Sequence, residues 1–163
     1  MMGILSRLFK SAPEPATTPA LRPAPTTTEE RAQRHHEDIQ AMLRDQAASS
    51  PRQAREIEAG TVDGVHYLEL VEPIKQAKRE GRNEDALALC YQAIQGAEQG
   101  RGGSEPAPAY TRHAAIILRK LGRPDEEAAV LERYLQFVPA ERRQAHEFTE
   151  RLRKARVLGG AGE

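Results

Sequence analysis

A helix–turn–helix pattern occurs twice in this chain and limits its folding options more than any other feature. From Ala109 to Pro139 one apolar run (Ala114, Ala115, Ile117, Leu118, Leu121) reaches the turn Leu121-Gly122-Arg123-Pro124. A second run (Ala128, Leu131, Tyr134, Leu135) follows and stops at Pro139. Residues 67–95 obey the same grammar. Tyr67, Leu68, Leu70, Val71, Ile74 and Ala77 precede Gly81, and Ala86, Leu87, Leu89, Cys90, Ala93 and Ile94 follow it. Apolar residues three and four apart line one face of a helix. A glycine just past such a run supplies the left-handed stop. One hairpin cannot bury its own stripe, whereas hairpins placed side by side can. The pattern predicts an all-α fold of antiparallel helical hairpins.

The rest of the chain divides around this unit. Ile4, Leu5, Leu8 and Phe9 fall on one side at about 100° per residue, with Ser6, Arg7 and Lys10 opposite. Such a segment suits docking on a partner or a membrane surface, but a disordered chain start is the plainer reading. Pro13, Pro15, Pro19, Pro23 and Pro25 among Ala and Thr forbid a helix and read as a spacer. Residues 1–28 are therefore expected to be a disordered, proline-rich segment. Residues 29–64 read as accessory helices. The first is capped at Thr28, where Arg31 denies it a capping box. The second runs from Pro51 to Ala59 behind Ser50 and ends at Gly60. Gly60 to Gly64 reads as a turn, and no strand is expected. Pro73 should kink its helix or mark the first turn. Gly96, Gly100, Gly102 and Gly103 read as a flexible loop between the hairpins. A last helix over 140–158, with Ala145, Phe148, Leu152 and Ala155 on its apolar stripe, reads as a cap, and 159–163 as a tail.

Charge and composition narrow the function classes. Basic and acidic residues balance at 24 each, which gives no reason to expect nucleic acid or an anionic membrane as partner. Aromatics are 4% with no Trp, too few for a base-stacking surface. No apolar run approaches the roughly 20 residues of a membrane-spanning helix. The single cysteine, Cys90, excludes an intrachain disulfide and Cys-based zinc spacing, so a reducing cytoplasm is the simplest compartment.

The residues that invite chemistry do not assemble it. His35 and His36 are adjacent, hence about 100° apart on a helix, and no H-E-x-x-H occurs there or at His146-Glu147. Solvated helix surface is the better reading. Cys90 sits on an apolar stripe, where a free cysteine is ordinarily a small hydrophobe. Gly100 to Ser104 has neither the preceding strand nor the Gly-Lys-Ser/Thr of a phosphate loop. No catalytic residue, metal or cofactor is expected, and the chain reads as non-enzymatic.

The doubled unit resembles the tetratricopeptide repeat family, whose 34-residue unit is two antiparallel helices touching through small residues. Counted from Pro108, Ala115 takes the small slot, Leu118 the aromatic slot of the first helix, Gly122 the turn, Leu131 the second aromatic slot and Pro139 the closing proline. Thr111 and Glu127 depart from the usual Trp and Ala. In the first unit Leu70, Ala77, Gly81, Ala86, Cys90 and Ala93 match in type, Ile74 replaces a small residue, and no proline closes the unit. Gly81 and Gly122 stand 41 positions apart, so the glycine-rich loop is an insertion of seven residues. The resemblance implies a short right-handed solenoid over 65–158. Two units are fewer than the roughly three such arrays need, so the helices before Tyr67, the last helix or a second copy of the chain must complete the core.

In that family the first helix of each unit lines a concave surface. The resemblance places Lys75, Lys78, Arg79, Arg112, Arg119 and Lys120 on or near it, as candidates to grip a carboxylate-bearing peptide. The family's carboxylate clamp usually includes an Asn that is missing here, and Glu72, Glu80 and Glu84 could make these cations ordinary solvated charges. The function expected is a non-catalytic protein- or peptide-binding scaffold. The alternative is a membrane-peripheral accessory factor docking through residues 1–10.

Overall fold

The computed structural model describes residues 27–160. The docking segment Ile4, Leu5, Leu8 and Phe9, the proline-rich spacer and the end of the tail lie outside the described residues. Within them the chain is all-α apart from one small ladder. The elements are α1 (Thr28–Ser49), α2 (Pro51–Ala59), β1 (Thr61–Val62), β2 (Val65–His66), a 3-10 turn (Tyr67–Leu70), α3 (Val71–Arg79), α4 (Asn83–Gln99), α5 (Pro108–Lys120), α6 (Pro124–Leu135), α7 (Ala140–Arg143) and α8 (Glu147–Gly160).

Local chemistry sets the boundaries. Thr27, not Thr28, caps α1: its Oγ1 accepts from the Glu30 N–H at 3.0 Å, and Glu30 accepts from the Thr27 N–H at 3.1 Å. The expected absence of a capping box is thus corrected, because the cap lies one residue earlier. Ser50 caps α2 with Pro51 in its first turn, as the sequence indicates. Asp63 and Gly64, with φ of 53° and 79°, form the two-residue turn that joins β1 to β2. Paired positive φ values match the twist of a hairpin, which is why Thr61 pairs with His66 and Val62 with Val65 where only a turn was expected. His66 then opens the 3-10 turn: its Nδ1 accepts from the Leu68 N–H while the Glu69 carboxylate accepts from the His66 N–H. Pro73 sits in the first turn of α3, where its missing N–H costs nothing.

The two hairpins close identically. At Gly81 (φ 75°) the N–H of Arg82 reaches the carbonyl of Ala77, and that of Gly81 the carbonyl of Lys78. At Gly122 (φ 70°) Arg123 reaches Leu118 and Gly122 reaches Arg119. Both are Schellman closures. The links are too short for anything but an antiparallel return. Accordingly α3 packs on α4 and α5 on α6, and α4 packs on α5 to join the hairpins. Ile74, Ala77, Ala86, Cys90, Ala93, Ala114, Ala115, Leu118 and Leu131 fill the shared core.

Of the three expected completions, the last helix joins the core, while the helices before Tyr67 pack beside it without entering it. α8 lies along α6 and buries Phe148, Leu152 and Ala155. On the other side α2 and the ladder rest on α4. There, Gly96 is not the start of a loop: it is buried inside α4, which runs on to Gln99. A Cβ at Gly96 would stand 2.6 Å from the Gly60 carbonyl oxygen, and one at Gly100 would stand 2.8 Å from that of Glu56. Glycine is required because another backbone comes this close. The loop that follows is anchored as well. Tyr134 Oη donates to the Pro106 carbonyl at 3.2 Å, and the Arg101 guanidinium lies 4.8 Å from the Phe137 ring centroid.

The single helix expected over 140–158 is broken at residues 144–146. His146 Nδ1 accepts from the Phe148 N–H, and Thr149 Oγ1 donates to the Arg143 carbonyl. The first bond caps α8 afresh and the second satisfies the last carbonyl of α7, and Ala145 is exposed rather than on the stripe. Gly159 and Gly160 continue α8 where a tail was expected.

Alanine at Gly96 would gain about 1 kcal/mol of helix propensity. It would also force a methyl against a carbonyl that cannot rotate away, an overpacking cost of about 1–3 kcal/mol. The clash should win. Gly96→Ala is expected to lower unfolding free energy by up to about 2 kcal/mol in urea titrations. Hydrogen exchange should speed up in α2 and the ladder and stay unchanged in α8.

Candidate functional site

α5 carries the densest group of candidate residues. Arg112, Ile116, Arg119 and Lys120 recur at four-, three- and one-residue steps, so they share one outer face of the helix. Ile116 is 42% exposed, one of three large apolar side chains left open among the described residues. The core-facing stripe on the opposite side (Ala114, Ala115, Ile117, Leu118) fixes which way this face points.

Three of the six candidate cations, Lys78, Arg112 and Lys75, cluster around His113 and its neighbouring carboxylates. Lys78 on α3 donates to His113 Nδ1 at 2.9 Å, bridging the first helices of the two hairpins. Burial first, then the charges of Lys78, Lys75 and Arg112, hold His113 below the usual histidine pKa. The imidazole is thus kept neutral as an acceptor within a ring of cations. Arg112 pairs with Glu147 at the start of α8. Lys75 pairs with Glu72 at 2.8 Å, in contact with water.

Arg119 has a different task. Its Nε lies 2.6 Å from Glu127, which is fully buried, and Arg151 of α8 reaches the same carboxylate at 2.7 Å. One carboxylate therefore ties α5, α6 and α8 together. A glutamate in a position expected to hold alanine is accounted for: it is buried because two arginines compensate its charge. Arg119 is a structural cation with 38% of its side chain open to solvent. Lys120 is exposed on the outer face. Arg79 stands apart from the α5 group. It donates to Gln76 and lines a groove of about 810 Å³ between α1 and α3.

Sequence reasoning missed His113, Ile116 and Arg151 as members of this face. The step from Arg112 to Ile116 was a readable signal for the second. Nothing local announces a contact between α3 and α5 or between α6 and α8.

The other chemistry-bearing residues are dispersed. Cys90 is fully buried, and burial pushes its thiol up to about 12, which disfavours the thiolate a nucleophile needs. Among the described residues no three His, Cys, Asp or Glu side chains gather as metal ligands. No described helix is long and apolar enough to cross a membrane. No family model matches the chain, and no curated protein or solved structure shows significant similarity to it.

Two outcomes test this electrostatic picture. Glu127→Gln removes the charge that two arginines share. Those arginines keep some solvent, so the loss should sit near the lower end for a broken buried pair, about 3 kcal/mol, measured by urea unfolding. His113 has a folded pKa below its unfolded value of about 6.5. Between those values the unfolded chain binds the proton and the folded one does not, so stability falls as pH drops through that window. The urea midpoint should decline from pH 7 to pH 5.5, less steeply in His113→Gln.

Proposed function

We propose that this chain is a non-catalytic cytoplasmic scaffold of the tetratricopeptide type, binding a protein or peptide segment across the outer face of α5 and the adjoining sides of α3 and α8. The identical Schellman turns at Gly81 and Gly122, and the seating of α8 against α6 as a further first helix would sit, support a short right-handed solenoid. The observation that carries the binding proposal is Ile116, open to water between Arg112 on one side and Lys120 on the other. An apolar contact ringed by long cations suits a partner segment that presents an apolar side chain flanked by carboxylates. Pairs such as Arg112–Glu147 and Lys75–Glu72 are exposed and individually weak, so an incoming carboxylate can compete for their cations.

Affinity capture with the full chain tests the proposal. Ile116→Asp combined with Lys120→Glu should abolish captured partners. Ala129→Glu, on the exposed side of α6, should retain them. Capture should also weaken with added salt. Partners held equally by both variants, with folding verified by circular dichroism, would place the binding surface elsewhere.

A further inference from the structure

The groove between α1 and α3 is separate from the α5 face and raises its own question. α1 is 22 residues long, yet Leu43 is its one buried residue. From Thr28 to Gln40 nothing on it is fully covered. A helix gains most of its stability from burying an apolar face, so this half is poorly supported by the rest of the fold. Beneath it, Ala32 and Pro73 give the groove an apolar lining, and Glu29, Glu69, Glu72 and Glu80 surround them. Lys75 and Arg82 partner Glu72 and Glu80 from solvent-exposed positions, and His36 and Gln40 reach Glu69. Arg79 lines the groove as well, so its four glutamates outnumber Arg79, Lys75 and Arg82 by one. His35 of α1 also lines it, and its Nε2 is buried without a hydrogen-bond partner, an arrangement that costs free energy until a donor or acceptor meets it.

We propose that residues 4–10 of the same chain occupy this groove. Ile4, Leu5, Leu8 and Phe9 form the apolar side that Ala32 and Pro73 would take. Arg7 and Lys10 supply the cations that its glutamates favour. Connectivity makes the contact cheap. The chain enters α1 at Thr27, and Thr28 and Glu29 are part of the groove itself. Residues 11–26, rich in proline, reach up to about 50 Å when extended at about 3.1 Å per residue, whereas the α1 side of the groove, Thr28 to His36, is only about 12 Å long. The tether is therefore long enough for the segment to turn back over the groove it adjoins. The inference is independent of the α5 binding face, and either can fail without the other.

Paramagnetic relaxation in the intact chain tests it. Cys90 is buried with its thiol pushed up to about 12, so Ser6→Cys takes a nitroxide label selectively at neutral pH. Amide signals of Ala32, Gln33 and Gln76 should lose most of their intensity, and those of Arg153 and Arg156 on α8 should keep theirs. Adding Leu5→Asp and Leu8→Asp to the labelled chain should restore the groove signals. Groove signals that stay sharp would overturn the proposal. So would broadening that survives the two aspartates, which would reflect tether proximity alone. Equal broadening in a mixture of nitroxide-labelled chain and isotope-labelled chain without nitroxide would assign the groove to a second copy, and would also overturn it.

Discussion

How closely other backbone can approach α4 determines whether the rest of this fold exists. On one side Ala86, Cys90, Ala93 and Ala97 are buried on it, and small side chains let the neighbouring helices draw near. On another side Gly96 and Gly100 admit the Gly60 turn itself, backbone to backbone. α4 is consequently the helix on which α3, α5, α2 and the small ladder all rest. Larger residues at these positions would separate the two hairpins and strand the accessory helices. Small-residue contact thus replaces bulk: a chain this poor in aromatics makes one core by bringing helices close.

Charge adds a second layer with a different logic. Arg123 connects the two Schellman turns by reaching Glu84, Arg133 reaches from α6 to Glu98 of α4, and Arg156 reaches from α8 to Glu132. These pairs lie at the surface, where each contributes little, but they repeat between successive elements and favour one register of stacking. Glu127 is the exception because it is fully buried, and two guanidiniums share it. The same accounting bears on binding. A cation committed to a buried carboxylate is a poor recruit for a partner, so Arg119 serves the fold while Ile116 and Lys120 remain open on its flank.

Helical stripes were readable wherever the burying partner was another helix at the regular spacing. Ile74, Cys90, Leu118, Leu131 and Phe148 are all buried, because three- and four-residue periodicity is written locally. The turns at Gly81 and Gly122 were readable for the same reason. Gly96 was misread because glycine is a weak helix former in isolation, and only the carbonyl pressed against it explains its place within α4. The break before α8 escaped notice because the bonds of His146 and Thr149 to backbone carry no periodic signature. The Thr27–Glu30 capping box was present in the sequence and displaced by one residue in the reading. The sequence named the candidate cations of α5 only through the repeat resemblance, and the structure sets Arg112, Arg119 and Lys120 on one exposed side of that helix. The sequence could not show that Arg79 turns toward α1 or that His113 lies among the cations.

Taken alone, the sequence determined that the chain makes amphipathic helices, where each hairpin turns, and which face of each helix goes inside. Those properties depend on backbone geometry within a few residues. Tertiary structure alone decided that α2 and the ladder dock on α4, that Glu127 would be buried between α5, α6 and α8, and which cations stay open to solvent. Each of these depends on the meeting of groups far apart in the chain, where desolvation and close approach, rather than local propensity, set the free energy.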